Sequence, residues 1–241
     1  MYHYSIAPTV PAFRDKLSVC KQLGVCHLEL PGEIDGVPFD ALTPAALEDS
    51  RILLIRAGVR IIISEVSCPL TDDAALRRFM NAAHLLHVES VRLPVPTCGD
   101  DEYLRTAATV GKYAQSYGIG LLVSNDTGSF LSTDEGVTQA VRTLSAYDCG
   151  AIFDVAAYGK LVYPFFGALY KSHIKNLIRA VRVGDLNPDG SPAALGQGTC
   201  GLCECISLLL ARSFDGYFSV SGDADACRTQ LHDLRELLIR M

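Results

Sequence analysis

Charged and hydroxyl side chains recur at or near the ends of short apolar runs in this sequence. They are Glu29, Glu65, Arg92, Ser124 with Asp126, Asp154, His173 with Lys175, and Ser221 with Asp223. Carboxylates and an imidazole can transfer protons or bind a cation, whereas a guanidinium or an ammonium binds anions. Whether these groups form one site depends on the elements that carry them.

The apolar runs recur eight times and alternate with longer amphipathic stretches. They are "YHYSIA", "GVCHLEL", "GVRIIIS", "SVRLPV", "GIGLLVS", "CGAIFDV", "KSHIKNL" and "DGYFSVS". Such runs suit strands that are buried on both faces. Between them, "TPAALEDSRILLIRAG" has Thr43 as a helix cap and Pro44 at the first helical position. Eight strand–helix repeats in 241 residues predict one parallel (β/α)8 TIM barrel over residues 1–241.

A doubly wound sheet is the alternative architecture. It would use fewer strands, and a dinucleotide-binding version would carry GxGxxG after its first strand. "SIAPTVPAF" stands there instead, without a glycine, so the barrel is favoured. The active site of a TIM barrel lies at the C-terminal ends of its strands, and the barrel core is normally apolar. Charged residues collected at that rim therefore indicate a site.

Composition excludes several classes of protein. A formal net charge of −6 and a pI near 5.5 argue against nucleic-acid binding. The sequence has no apolar run long enough to span a membrane, and "MYHYSIAPTVPAF" does not resemble a secretory signal. Nine cysteines, an odd number, predict reduced thiols in a cytoplasmic protein. A homo-oligomer is compatible with this composition.

Several motifs, in order along most of the chain, carry a family resemblance. "GVCHLELPGE" ends a second strand at Glu29, "SVRLPV" carries Arg92, and "CGAIFDVAAYGK" carries Asp154. "SHIKNL" matches an "HxKD" strand through His173 and Lys175, "ALGQGTCGL" matches an "LGEGxxD" loop, and "FDGYFSVSGD" matches the last strand. Together they resemble the xylose-isomerase-like barrels, which include sugar-phosphate isomerases, epimerases and the endonuclease IV group.

This resemblance implies a metal-dependent site at the barrel mouth. Members hold a divalent ion such as Mn²⁺, Mg²⁺ or Zn²⁺ with two Glu, one Asp and one His. Here Asp154 and His173 match the Asp and the His, whereas Ser124 and Ser221 stand in place of the two Glu. A neutral hydroxyl is a poor ligand for a hard dication and a poor general base. The resemblance thus predicts a degenerate metal site.

Alternative interpretations of the mouth stay open. Asp126 and Asp223 follow the two serines and would add carboxylates to a shifted metal site, but such loop Asp residues commonly form turns or cap helices. Asp154 and His173 are equally explained as hydrogen-bonded remnants without a metal. Glu29 and Arg92 would bind ligand or pair with each other.

Two further segments have competing explanations. Cys200, Cys203 and Cys205 in "CGLCEC" suggest zinc, yet no second Cys or His pair has the usual spacing, so packing is favoured. The segment 177–198 is long for a barrel connection and is typical of a lid. Arg179 and Arg182 within it would reach an anionic ligand or simply form a solvated face.

The leading functional prediction is a sugar or sugar-phosphate isomerase or epimerase acting on a small polyol or keto sugar. The resemblance implies Asp154 as metal ligand or base, His173 as metal ligand or proton donor, and Lys175 as the stabilising charge. Residues expected to contact the substrate are Glu29, Arg92, Ser124, Asn125 and Ser221. The alternative is a non-catalytic sugar-binding or regulatory protein of the same fold. A DNA-repair nuclease is disfavoured, since those relatives use a His-rich multi-zinc cluster.

Overall fold

The computed structural model of the chain describes residues 2–159 and 174–241. Within them, eight parallel strands close into a barrel in sequential order, and the first strand pairs with the last. The strands are β1 (His3–Pro8), β2 (His27–Leu30), β3 (Arg60–Glu65), β4 (Ser90–Arg92), β5 (Gly120–Ser124), β6 (Cys149–Asp154), β7 (Ile178–Arg182) and β8 (Tyr217–Gly222). The predicted (β/α)8 barrel is confirmed.

Helices follow the strands around the outside of this barrel. Those in the described residues are α1 (Phe13–Leu23), α2 (Pro44–Ala57), α3 (Asp73–Leu85), α4 (Asp100–Ser116), α5 (Asp134–Thr143), α6 (Val155–Gly159), α7 (Leu202–Leu210) and α8 (Ala224–Arg240). A two-stranded hairpin (Glu33–Ile34 with Val37–Pro38) follows β2, and short 3-10 helices lie at Phe39–Ala41, Phe130–Ser132, Ser145–Tyr147 and Ile174–Leu177. Among the described residues, no helix has the length and apolar character needed to cross a bilayer.

Helix α2 shows how local sequence sets the element boundaries. The Thr43 hydroxyl accepts a hydrogen bond from the backbone N–H of Ala46 at 3.2 Å, and Pro44 occupies the first turn, as predicted. The helix ends at Gly58, whose φ of 65° is left-handed and costs a glycine little. The chain then enters β3 directly.

Each strand buries both of its faces. Outward side chains such as Leu28, Leu121 and Phe153 pack between the barrel and its helices. Inward side chains form a smaller apolar layer that fills the barrel, namely Ile62, Ile63, Leu122, Ile152 and Ala180. The barrel is therefore a filled core rather than a pore, and the charged groups described below lie at its two ends.

The N-terminal end of the barrel, called the floor below, has a closed polar network. His27 Nδ1 donates to the Tyr4 carbonyl at 3.0 Å, and Arg60 Nη2 donates to His27 Nε2 at 2.9 Å. The Tyr217 hydroxyl donates to Glu89 at 3.1 Å, and its ring contacts the His27 ring at a centroid distance of 5.0 Å. His27 is thus a structural histidine in a neutral tautomer, and each of its ring nitrogens has a hydrogen-bond partner.

The seventh strand lies later in the chain than the sequence interpretation placed it. Residues 174–177 of "KSHIKNL" form a 3-10 helix, and the strand is "IRAVR", Ile178–Arg182. In β7, Ala180 faces the barrel interior and Val181 packs outward, which is the two-sided burial that a barrel strand requires. Ile174 and Leu177 are three residues apart, a spacing that fits a 3-10 turn better than a strand. The prediction of a strand was wrong for residues 174–177, and the first three residues of "KSHIKNL" lie outside the described part of the chain.

A candidate binding site at the barrel mouth

The inward side chains at the C-terminal strand ends meet across the barrel mouth. Glu29 on β2 accepts a hydrogen bond from Arg182 Nη2 on β7 at 3.1 Å, although these strands are not neighbours. The Ser5 hydroxyl on β1 donates to the other Glu29 oxygen at 3.0 Å. The Glu29 side chain is only 3% exposed. This pair therefore spans the interior and is largely removed from water.

A second ion pair lies on the adjacent strands β3 and β4. Glu65 and Arg92 are in register, and Arg92 Nη2 donates to Glu65. Glu29 and Arg92 were expected either to bind ligand or to pair with each other. The pairing alternative was wrong, because each residue pairs with a different partner.

The two guanidiniums influence each other. Burial, and after it the nearby charge of Arg182, lower the pKa of Arg92 to about 10, while Glu29 and Asp154 act in the opposite direction. Arg92 is thus close enough to all three groups to sense their charge. The strand ends of β2, β4, β6 and β7 therefore form one electrostatic unit.

Asn125 connects the ends of β5 and β6. Its Nδ2 donates to the Asp154 carbonyl at 3.0 Å, and its Oδ1 accepts from the Asp154 N–H at 2.7 Å. The Ser124 hydroxyl donates to the Asn125 carbonyl at 3.3 Å. The Asp154 carboxylate accepts from the N–H of Ala157 in α6 at 3.0 Å, so it caps that short helix while remaining half-buried at the mouth. Contact of Ser124 and Asn125 with a ligand stays a prediction.

The two loop aspartates are occupied by their own loops. Asp126 accepts from the N–H groups of Gly128 and Ser129 at 2.6 and 2.8 Å and from the Ser129 hydroxyl. Asp223 accepts from the N–H of Ala226 at 2.8 Å and caps α8. These are the turn and cap roles that competed with a shifted metal site. Across residues 2–159 and 174–241, no three His, Cys, Asp or Glu side chains are grouped to hold a metal ion.

Of the three predicted catalytic residues, the structure describes the side chain of Asp154. His173 and the Lys175 side chain lie outside the described residues, and the Lys175 backbone belongs to the 3-10 helix that precedes β7. The end of the seventh strand, where the family resemblance expects a ligand histidine, is Arg182, in register with Asp154. The placement of His173 at the mouth stays a prediction, because this residue lies outside the described part of the chain.

The described residues at the mouth do not by themselves fit a divalent ion. The ends of β5 to β8 present Ser124, Asp154, Arg182 and the exposed Ser221. A guanidinium has no lone pair to coordinate a cation and repels it electrostatically. Two hydroxyls and one carboxylate leave a hard dication with too few anionic ligands. The donor set of this mouth suits an organic ligand better than a metal.

Comparison with known proteins identifies the fold. No family model matches the chain, and no curated protein matches its sequence. Solved structures do match: a D-tagatose 3-epimerase-like protein has a TM-score of 0.78 at 18% identity, with 99% of this chain and 97% of the other covered. A xylose isomerase-like barrel from Mycobacterium smegmatis, in complex with magnesium, gives 0.73 at 16% identity, with 100% and 97% covered. The fold is that of the xylose-isomerase-like TIM barrels.

A third structure of this fold contains a sugar. D-Psicose 3-epimerase from Clostridium cellulolyticum H10, solved with D-tagatose, matches with a TM-score of 0.72 at 10% identity, covering 100% of this chain and 98% of that one. At such identities the likeness concerns the fold alone. The function of the mouth has to be argued from its own residues.

Sequence reasoning missed two residues near the mouth. Arg182 was assigned to a long connection, although its place at the end of "IRAVR" marks a strand end. Asp185, which is buried, accepts from the backbone N–H groups of Leu186, Gly196, Gly198 and Cys200 at 2.9 to 3.1 Å. One carboxylate thereby organises the loop between β7 and α7. No sequence pattern predicts that role, because it depends on the folded path of the loop.

The cysteines have no assigned role in this site. All nine are free thiols, and Cys205 is buried in α7. Cys200 and Cys203 are half-buried, and no described group that includes them could hold a metal ion. Packing therefore explains "CGLCEC" better than zinc does.

Proposed function

We propose that the protein binds a small polyhydroxylated molecule at the C-terminal mouth of its barrel, without a divalent ion. The observation that supports this most directly is Arg182, which stands in register with Asp154 where the family resemblance expects a metal-binding histidine. A fixed cation in that position replaces the charge that a dication would bring and prevents its binding.

The chemistry of the mouth suits hydroxyl-bearing ligands. Carboxylates of Glu65 and Asp154 accept hydrogen bonds, the guanidiniums of Arg92 and Arg182 donate them, and the Ser221 hydroxyl does both. A sugar hydroxyl is likewise both donor and acceptor, so it can join either set. The sugar epimerases that share this fold support the same class of ligand, a polyol, keto sugar or sugar phosphate.

Isomerisation is the second candidate, and one observation favours it: Asp154 and Arg182 are on neighbouring strands in register. In that reaction, Asp154 removes the proton from the carbon beside the carbonyl, and the electron pair moves onto the carbonyl oxygen as an enediolate. The Arg182 guanidinium stabilises this oxyanion, the hydroxyl proton on the deprotonated carbon's oxygen passes to it, and Asp154 returns its proton to the former carbonyl carbon as the new carbonyl forms. This route needs no metal and uses the Asp154 role implied by the resemblance.

Calorimetric titration of the full chain with neutral sugars and polyols, before and after treatment with a chelator, tests the proposal. We expect binding with the same affinity in both samples, and no tight binding of Mn²⁺ or Mg²⁺. A ligand that binds only after Mn²⁺ is added, or Mn²⁺ binding that disappears in Asp154→Ala, would refute it. Proton exchange at the carbon beside the carbonyl of a bound keto sugar, followed by NMR in D₂O, separates the isomerase from the binding protein.

A further inference from the structure

The two arginines at the mouth have more hydrogen-bond donors than partners. In the described part of the chain, Arg92 uses Nη2 for Glu65, and Arg182 uses Nη2 for Glu29. The Nε atoms of both arginines are buried and have no hydrogen-bond partner within residues 2–159 and 174–241. A guanidinium offers several N–H donors in a planar fork, so each still lacks acceptors. Buried donors without partners carry a free-energy cost, so its carboxylate partner alone does not satisfy either guanidinium.

Both arginines can be reached from the mouth. Their side chains are 19% and 21% exposed, while the Glu29 partner is almost fully covered. Arg92 lies on β4 and Arg182 on β7, so the two guanidiniums approach from different sides of the barrel. Burial and the proximity of Arg182 lower the pKa of Arg92, as like charges in a poorly solvated space do. A negative group near both would relieve this repulsion.

The charge of the surrounding groups limits how negative a ligand can be. The carboxylates at the described strand ends are Glu29, Glu65 and Asp154, and the guanidiniums are Arg92 and Arg182. These strand ends thus carry one more carboxylate than guanidinium. A dianionic phosphate would add two charges to this excess, whereas a carboxylate adds one and matches the planar donor fork.

We propose that the mouth binds a sugar acid, whose carboxylate is held by Arg92 and Arg182 and whose hydroxyls face Asp154 and Ser221. This inference rests on the proposed function and narrows its ligand class from polyols in general to polyhydroxy monocarboxylates. Charge-assisted hydrogen bonds are about twice as strong as neutral ones, so the carboxylate should dominate the affinity.

Titration calorimetry with matched ligands tests this inference. D-Gluconate and D-glucitol share a carbon chain and differ at the terminal carboxylate, so we expect gluconate to bind at least about tenfold more tightly. The preference should shrink when the ionic strength rises from about 0.05 M to about 0.5 M. Inorganic phosphate and D-glucose 6-phosphate provide the dianionic comparison and should bind more weakly than gluconate.

Variants connect the preference to the two arginines. Arg182→Gln and Arg92→Gln should each abolish the advantage of gluconate over glucitol. Arg179→Gln is the matched control, because Arg179 is on the same strand but exposed on the outer side, 3.4 Å from Asp148. If Arg182→Gln does not fold, the double variant Glu29→Gln with Arg182→Gln is used in its place, because it leaves neither partner of the ion pair charged.

The outcomes separate the two proposals. Equal binding of gluconate and glucitol overturns the sugar-acid inference and leaves the proposed function standing. Tighter binding of the phosphate ligands also overturns it, in favour of a sugar phosphate. Binding of none of these ligands contradicts both proposals. A gluconate preference that survives in Arg182→Gln and Arg92→Gln places the carboxylate elsewhere and refutes the assignment.

Discussion

Both ends of the barrel carry charged side chains inside the closed sheet, but the hydrogen bonding of these side chains differs between the two ends. At the floor, His27 uses both ring nitrogens, and Tyr217 and Glu89 satisfy each other. At the mouth, Arg92 and Arg182 retain buried Nε donors that have no partner among the described residues. A polar group whose hydrogen bonds are complete supports the fold, whereas an incomplete one at a strand end is where a ligand would be sought first. The mouth is therefore the end of the barrel to test for ligand binding.

The largest expected effect concerns the ion pair that crosses the mouth. Glu29→Ala leaves the Arg182 guanidinium and the Ser5 hydroxyl without their acceptor, so we expect the free energy of unfolding to fall by about 3–5 kcal/mol. Urea denaturation monitored by circular dichroism measures it. The matched control is Glu48→Ala, which removes an exposed pair with Arg51 on α2 (2.7 Å) and should change stability little. Similar losses in both variants would show that the mouth pair is not desolvated.

A smaller effect is expected from rebuilding a metal site. The triple variant Ser124→Glu, Arg182→His, Ser221→Glu restores the ligand set that the family resemblance implies. We expect it to bind Mn²⁺ at least about 100-fold more tightly than the double variant Ser124→Glu, Ser221→Glu, which retains the repelling guanidinium. Titration calorimetry with MnCl₂ measures both affinities. Equal affinities would mean that Arg182 does not occupy the ion position.

The smallest effect is at the floor and depends on pH. Burial lowers the pKa of His27, while its bond to the Tyr4 carbonyl acts in the opposite direction. Because the folded pKa lies below the unfolded value of about 6.5, the unfolded chain binds more protons, and stability falls as the pH drops below about 6.5. His27→Gln should flatten this dependence in thermal melts, and the control His84→Gln should not. An unchanged slope in His27→Gln would mean that another group dominates.

Much of the fold could be predicted from the sequence, because apolar residues follow different spacings in strands and in helices. Seven of the eight apolar runs contain the barrel strands, and Thr43 with Pro44 marks the start of α2. The strand-end rule also placed Glu29, Arg92 and Asp154 in one electrostatic unit. These inferences depend on local patterns, which a single sequence contains.

The rest depends on contacts between distant residues. "KSHIKNL" and "IRAVR" are adjacent short segments of similar apolar and basic composition, so periodicity could not choose between them, and the His–Lys match favoured the earlier one. The pairing of Glu29 with Arg182, 153 residues apart, arises only when the barrel closes. Sequence patterns also left open a shifted metal site that included Asp126 and Asp223. In the structure, these two carboxylates accept hydrogen bonds from nearby backbone N–H groups instead.

The carboxylate of Asp185 has a consequence for how this protein can diversify. Because it anchors the loop from within through four backbone amides, the base of the loop is held independently of its exposed tip, residues 187–192. The tip has its own constraints, since the side chains of Asn187 and Asp189 form hydrogen bonds within it and Gly190 has a left-handed φ of 83°. Substitutions at the exposed tip of this loop, whether natural or engineered, can therefore change the surface next to the barrel opening without disturbing the barrel fold.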